Sequence, residues 1–215
     1  MKRNDKRKNI FWLASLLLLI VFSVNMLSGC KKEVQLNDYK VENIRDDQVV
    51  FVYWNDISFN GISYLWLINK KGECKVLDMM DEEKYGYIKE MSKTSEEFLQ
   101  AIDKCMANPD IANTAKKLEI NAEMLNYCIN VPEIELEREE QGCIDAGQED
   151  YYVVCGTGEK RHLVKMRIES FDYYVSDDEV LNQMCQEIFY FCMDDDVYPS
   201  GDTENVSCGE EKQGE

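Results

Sequence analysis

Cysteine thiols are the side chains of this sequence with the widest range of chemistry, because they can be cross-linked, oxidised or bound to a metal. The 215-residue chain contains nine cysteines and one histidine. Cys30 follows an apolar N-terminal stretch, and the other eight are Cys74, Cys105, Cys128, Cys143, Cys155, Cys185, Cys192 and Cys208. No two have the Cys-x-x-Cys spacing of structural zinc sites. We therefore expect neither a metal site nor a resident cofactor.

The eight cysteines beyond the N-terminal stretch form an even number, as is typical of disulfide-bonded exported proteins. Cys185 and Cys192 are seven residues apart on one predicted helix, about 10.5 Å between Cα atoms, which is too far for a disulfide. Cys143 and Cys155 flank a predicted turn at 147–150 and are the one pair that the sequence suggests, across a hairpin. The alternative is that most of these thiols are small buried hydrophobic groups.

The spacing of histidine and of the acidic residues in the sequence gives little support for a catalytic or calcium-binding site. His162 is the sole imidazole, it lies at the predicted start of a strand, and no Gly-x-Ser-x-Gly motif accompanies it. The acidic run at 194–196 could begin a calcium loop, but the sixth position counted from Asp194 is Pro199, where an EF-hand needs glycine. With so many carboxylates in the chain, some pair always suits glycoside hydrolysis, so pairing alone identifies no site.

Aromatic residues cluster in the first two predicted strands. Tyr53 and Trp54 lie in the first, and Tyr64 and Trp66 lie in the second. Because tyrosine and tryptophan offer large contact areas at low entropic cost, these four residues could form a recognition surface. Their position inside strongly apolar runs favours the alternative, which is core packing between a sheet and its helices.

The first thirty residues differ from the rest of the chain. A cationic head comes first, formed by Lys2, Arg3, Lys6, Arg7 and Lys8. An almost uninterrupted apolar run follows over residues 10–24. This run is about 22 Å long as a helix, short of the roughly 30 Å hydrocarbon core of a membrane. The segment therefore predicts an export signal rather than a permanent membrane span.

Residues 27–30, Leu-Ser-Gly-Cys, match the lipobox at every position, and this segment resembles the signal peptides of bacterial lipoproteins. The resemblance implies that residues 1–29 are removed and that the Cys30 thiol carries diacylglycerol. It implies a protein held by its acyl chains at the extracytoplasmic face of the cell membrane. An uncleaved signal anchor with an unmodified Cys30 is the alternative.

The charge balance argues against polyanionic partners. The chain has 24 basic and 42 acidic residues, a net charge of −18, and its first thirty residues contain five of the basic and one of the acidic residues. The remainder therefore carries a net charge of −22. Binding to a nucleic acid is disfavoured, because it would bring like charges together instead of releasing counterions.

Composition divides the remainder into a polar tether at 30–46, a folded domain at 47–193 and an acidic tail at 194–215 that is too polar to become ordered. The predicted strands are 49–54, 62–68, 73–79, 134–144, 151–156 and 162–168. The predicted helices are 94–106, 115–129 and 177–192. The first two strands have apolar residues at both odd and even positions, so both of their faces need to be covered. We therefore expect one α+β domain whose antiparallel sheet is covered by helices on both faces.

A second resemblance covers the last third of the predicted domain. The segment 145–152, a Leu163-Val164 strand and a following amphipathic helix are similar to an arrangement in uncharacterised lipoproteins of Gram-positive, clostridia-like bacteria, which implies no activity. The sequence as a whole predicts a membrane-anchored module that binds a small ligand or an envelope protein. A hydrolase that uses acidic residues is the alternative.

Overall fold

One sheet organises the computed structural model, which describes residues 36–57, 61–132, 134–141, 147–170 and 172–199. Within these residues the strands are β1 (Val49–Ile57), β2 (Ile62–Asn69), β3 (Cys74–Asp78), β4 (Glu137–Gln141), β5 (Gln148–Cys155), β6 (His162–Glu169) and β7 (Asp172–Val175). The helices are α1 (Glu82–Lys89), α2 (Glu96–Ala107), α3 (Ala122–Cys128) and α4 (Glu179–Cys192). Every strand pairing is antiparallel, so the predicted α+β class is confirmed.

The predicted meander is present as β1, β2 and β3, with β3 at one edge of the sheet. The turn between β2 and β3 needs Gly72, whose φ is +74° and where an added Cβ would lie 1.9 Å from Leu118 O. Thr114 N donates to Cys74 O at 2.8 Å, and Leu118 N donates to Gly72 O at 2.9 Å. These bonds partly satisfy the backbone groups that an edge strand otherwise exposes.

The sheet order β3-β2-β1-β5-β6-β7-β4 places β1 and β5 near the centre, and both are buried on both faces. Phe51 and Tyr53 pack on one side of β1, while Val52 and Trp54 pack on the other. A strand of this kind is stable only when both of its faces are covered. Residues 150–155 of β5 are all buried, so both faces of this strand are covered as well.

Two helical layers supply the cover. Helices α1 and α2 pack against the face that carries Trp54, where Phe98 and Ile102 are fully buried. Helices α3 and α4 pack against the face that carries Tyr53, where Met184 is fully buried. The prediction that helices cover both faces of the sheet is confirmed.

Side-chain caps determine where the predicted helices begin. Ser95 Oγ accepts a hydrogen bond from Phe98 N at 3.1 Å at the start of α2. Asp178 caps α4 in the same manner, and Asn121 caps α3. Helix α3 therefore begins at Ala122, and the prediction of helix over 115–118 is wrong, because that stretch bonds to the β3 edge instead.

Two elements have no counterpart in the sequence-based prediction. Helix α1 is eight residues long, contains Gly86 and buries only Tyr85 and Ile88, so its helical pattern is weak. Strand β7 has four half-buried residues and pairs with β6 and with the distant β4. Elements this short are selected by tertiary packing rather than by local propensity.

The described core extends beyond both predicted domain boundaries. Ile44 belongs to the predicted tether, and Val197 belongs to the predicted acidic tail, yet both side chains are buried in the core. Residues 30–35 of the tether and 200–215 of the tail lie outside the described residues.

A buried ion pair joins helix α2 to the start of β1. The side chains of Arg161 and Asp103, which form this pair, are 5% and 17% exposed. Together they satisfy both backbone groups of Val49: Arg161 Nη2 donates to Val49 O at 2.6 Å, and Asp103 Oδ1 accepts from Val49 N at 3.0 Å. The β1–β2 ladder is irregular at this point, between Val49 and Phe51, so the ion pair replaces regular ladder bonds.

Replacing Arg161 with methionine tests this anchor. The change leaves the Asp103 carboxylate and the Val49 carbonyl buried without their donor, so we expect the free energy of unfolding to fall by about 3–5 kcal/mol. The matched control is Arg45→Met, because Arg45 pairs with Asp47 on the exposed surface and its loss should leave stability nearly unchanged. Urea titration measures both effects, and equal stabilities for the two variants would contradict the proposed anchor.

Candidate functional site

A cleft of about 630 Å³ lies between helix α4 and strands β6, β7 and β4. Its volume is within the range typical of small-molecule sites. The lining residues are Glu137, Arg138, Arg167, Tyr173, Val175, Ser176, Asp177, Asn182 and Gln186. Only Val175 among these is aliphatic, so the cleft suits a polar ligand.

The floor of the cleft continues a row of side chains that crosses the whole sheet. Successive strand pairs place in register, from β3 to β4, Val76, Trp66, Tyr53, Tyr151, Arg167, Val175 and Glu137. Directly paired residues of an antiparallel sheet have neighbouring side chains on one face. The first four residues of this row lie in or against the core, and the last three line the cleft.

The aromatic residues of the row pack against one another inside the core. The ring of Tyr53 lies 4.9 Å from Trp66 and 4.8 Å from Tyr151, measured between centroids. Tyr53, Trp54 and Trp66 are at most 2% exposed, and Tyr64 is half-buried. A recognition surface at these four positions is therefore wrong for Tyr53, Trp54 and Trp66, because the helices cover both faces of the sheet. Core packing describes those three residues.

Arg167 lies where the row of side chains passes from the core into the cleft. Its guanidinium lies 4.8 Å from the ring centroid of Tyr173 and 5.8 Å from that of Tyr151, distances at which aromatic faces attract cations. Nη2 is 2.6 Å from Glu169 Oε1. Nε is buried and has no hydrogen-bond partner among the described residues. The side chain is only 14% exposed, so the guanidinium is largely desolvated and confined.

Helix α4 supplies one wall of the cleft, and hydrogen bonds fix its first turn. Ser176 Oγ accepts from Asp178 N at 3.0 Å, and Asn182 Nδ2 donates to Ser176 O at 2.8 Å. The Tyr127 hydroxyl of α3 donates to Asp178. Burial and the Asp178 carboxylate raise the pKa of Tyr127, so this hydroxyl keeps its proton. Asn182 Oδ1 is buried, and no described residue donates to it.

Charges of both signs surround the cleft. Arg138 is exposed and lies 2.5 Å from Asp172 Oδ1. Glu137 and Asp177 are exposed and form no ion pair with any residue that the structure describes. Two of the four arginines in the described ranges line this cleft, although the whole chain carries −18. The cleft therefore concentrates the scarce guanidinium groups of an acidic protein.

A second polar row lies beside the first. Asn55, Glu149 and Glu169 are directly paired across β1, β5 and β6. Burial raises the pKa of Glu169, Arg167 partly opposes that rise, and Glu149 adds to it. Tyr151 donates to Glu149 Oε2 at 3.0 Å. Neither glutamate lines the cleft, so this carboxylate pair is engaged by its protein neighbours.

The cysteines of the described residues are buried and unbridged: Cys74, Cys105, Cys128, Cys155, Cys185 and Cys192. Burial raises the pKa of Cys74, Cys155 and Cys185 to about 12. Burial also raises the pKa of the other three thiols. Such thiols are weak nucleophiles at neutral pH. The alternative that these cysteines act as small buried hydrophobic groups describes all six.

His162 and Cys155 are register partners, but they do not form a catalytic dyad. The His162 ring is exposed, and its Nδ1 lies 3.0 Å from Lys160 O. Cys155 Sγ instead lies 3.3 Å from Cys128 O. The imidazole therefore does not activate the thiol.

The structure removes the reason for pairing Cys143 with Cys155. The predicted turn at 147–150 is wrong, because residues 148–150 begin strand β5. Strand β5 pairs with β1 and β6, and β4 pairs with β7, so the expected hairpin is not formed. Cys143 itself lies outside the described residues.

The acidic run at 194–196 is engaged by a lysine of the same chain. Asp194 and Asp196 of the acidic run bind Lys116 at 2.7 and 2.8 Å. Within the described ranges, no three His, Cys, Asp or Glu side chains are grouped to hold a metal ion. The helices described in the structure are too short or too polar to cross a membrane. Cys30, the predicted lipid attachment residue, lies outside the described part of the chain.

Comparison with known proteins assigns no relative. No protein-family model, curated protein or solved structure matches this chain. The fold and its cleft are therefore the basis for a functional assignment.

Sequence reasoning did not find the cleft. The predicted strand 162–168 contains Arg167, but the neighbours of Arg167 in the cleft come from β7, which has no clear sequence pattern, and from β4. The β4–β7 pairing joins segments more than thirty residues apart, and hydrophobic periodicity carries no information about such a contact. The sequence feature that could have indicated the cleft is the small number of arginines in a strongly acidic chain.

We expect the six described thiols to resist alkylation in the native protein. Iodoacetamide labelling with and without denaturant, followed by peptide mass spectrometry, reports each cysteine separately. Modification should occur only after unfolding, because burial both shields the sulfur and suppresses the thiolate. Rapid native labelling of Cys128 or Cys155 would contradict the described packing, and a peptide bridged through either residue would show that its thiol is not free.

Proposed function

We propose that this chain is a lipid-anchored binding module at the extracytoplasmic face of a bacterial cell membrane. Diacylglycerol on Cys30 attaches the chain, and the Leu-Ser-Gly-Cys segment at 27–30 supports this anchor. The cleft beside Arg167 receives a small ligand or a segment of an envelope protein. The observation that carries the binding assignment is the confined Arg167 guanidinium, stacked on Tyr173 at the floor of a polar cleft.

The chemistry of the described side chains favours binding over catalysis. A stacked and desolvated guanidinium is preorganised for recognition of an oxygen-bearing ligand. Nucleophilic catalysis would need an activated thiol or hydroxyl beside a base. The described thiols are protonated, and His162 faces a backbone carbonyl, so neither supplies that arrangement.

The charge of the chain supports the same placement. After removal of residues 1–29 the net charge is −22, which repels the anionic surface of a membrane. This repulsion favours a folded part that stands away from the lipid and keeps its cleft in solvent. It also disfavours nucleic acids as partners.

A hydrolase that uses carboxylates is the second candidate function. Glu169 favours it, because a carboxyl group with a raised pKa suits a general acid. Its register partner Glu149 supplies the second carboxylate. However, Arg167 pairs with Glu169 and Tyr151 binds Glu149, so both groups already have protein partners. The binding module is the better supported proposal.

Replacing Cys30 tests the anchor. We expect mass spectrometry of the native membrane-bound protein to find an N-terminal peptide that begins with acylated Cys30. The Cys30→Ala variant should show neither acylation nor cleavage before position 30, because the thiol that accepts the lipid is missing. Cys208→Ala is the matched control and should be processed like the unmodified sequence. Processing of Cys30→Ala, with retention on membranes after a salt wash, would contradict the proposed anchor.

A further inference from the structure

Opposite charges lie on either side of Val175 on the cleft floor. Arg167, Val175 and Glu137 are in register across β6, β7 and β4, so their side chains occupy one face. Neighbouring strands are about 4.8 Å apart, which separates the Cα atoms of Arg167 and Glu137 by about 10 Å. Asp177 follows Val175 by two residues and adds a second carboxylate to the lining.

Two unpaired polar atoms belong to side chains that line the cleft. Arg167 Nε is a buried donor and Asn182 Oδ1 is a buried acceptor, and neither has a partner among the described residues. Folded proteins rarely leave such atoms unpaired. Both residues line the same cleft, so a donor-bearing and an acceptor-bearing side chain adjoin one ligand space.

The charges of the cleft discriminate between ligand classes. Glu169 already pairs with the Arg167 guanidinium, whereas Glu137 and Asp177 form no ion pair within the described residues, so a neutral ligand would leave both of these carboxylates unpaired. A polyanion would be repelled by the chain's net charge of −18. An apolar ligand would find Val175 as the only aliphatic contact in the lining. A ligand with one negative and one positive end matches both signs.

We infer that this cleft binds a zwitterion of the amino-acid type, either a free amino acid or a peptide of two or three residues. Its carboxylate pairs with Arg167, and its ammonium group lies between Glu137 and Asp177. This inference rests on the proposed binding function, for which it names the ligand class.

The experiment uses the full-length protein purified in detergent. Thermal unfolding is measured with each of the twenty amino acids and with a library of dipeptides and tripeptides, all at millimolar concentration. We expect a saturable rise in the unfolding temperature with at least one of them, because a ligand that binds only the folded state stabilises it. Calorimetry then compares the best ligand with its N-acetylated and C-amidated forms, and blocking either end should weaken binding at least tenfold.

Two variants test which charged residue of the cleft binds each end of the ligand. Arg167→Gln should weaken the unblocked ligand at least tenfold while leaving the C-amidated form unchanged, because that form has no carboxylate to lose. Glu137→Gln should weaken the unblocked ligand while leaving the N-acetylated form unchanged. Arg45→Gln is the matched control, since Arg45 is exposed, paired with Asp47 and outside the cleft. A merely structural role for Arg167 would weaken all three ligand forms equally and would overturn the assignment.

The outcomes separate this inference from the proposed anchor. If no amino acid or peptide stabilises the protein, or if blocked and unblocked ligands bind equally, the zwitterion assignment is wrong even when Cys30 is acylated. If Cys30 carries no lipid but the unblocked ligands bind as expected, the anchor fails and the ligand assignment stands.

Discussion

The packing of the Trp66, Tyr53 and Tyr151 rings across the central strands is the interaction on which the rest of the structure depends. Strands β1 and β5 are apolar on both faces, so each face requires a helical layer. The row continues beyond the aromatic residues as Arg167, a charged group that the core cannot enclose completely. Core and cleft are therefore two parts of one row of side chains.

Burial of the Arg167 guanidinium is tolerated because its neighbours compensate for lost water. Tyr151 and Tyr173 present aromatic faces, and Glu169 supplies a countercharge. A buried charge without such partners would strongly destabilise the fold. The same contacts hold the side chain in one orientation, and a binding group that is already oriented loses little entropy when a ligand arrives. The strands and α4 position this group more firmly than a loop would.

Much of the fold follows from local sequence, and the cleft does not. The meander, the helix that Ser95 caps and the terminal helix that Asp178 caps were predicted, because hydrophobic alternation and capping residues are local signals. Strand β7 and its pairing with β4 were missed, because four half-buried residues have no distinctive period. The cleft depends on that pairing, so its residues could not be grouped from the sequence. The sequence singles out Tyr53 and Trp66, but both lie inside the core.

Nuclear magnetic resonance of selectively labelled protein tests the central claim most directly. The experiment follows the Arg167 Nε–H signal and the methyl signals of Val175 and Val76 while the peptide library is added. The account predicts shifts at Arg167 and Val175 and none at Val76, which lies at the opposite end of the same row. Shifts confined to Val76 and its surroundings, or the absence of any shift at Arg167, would contradict it.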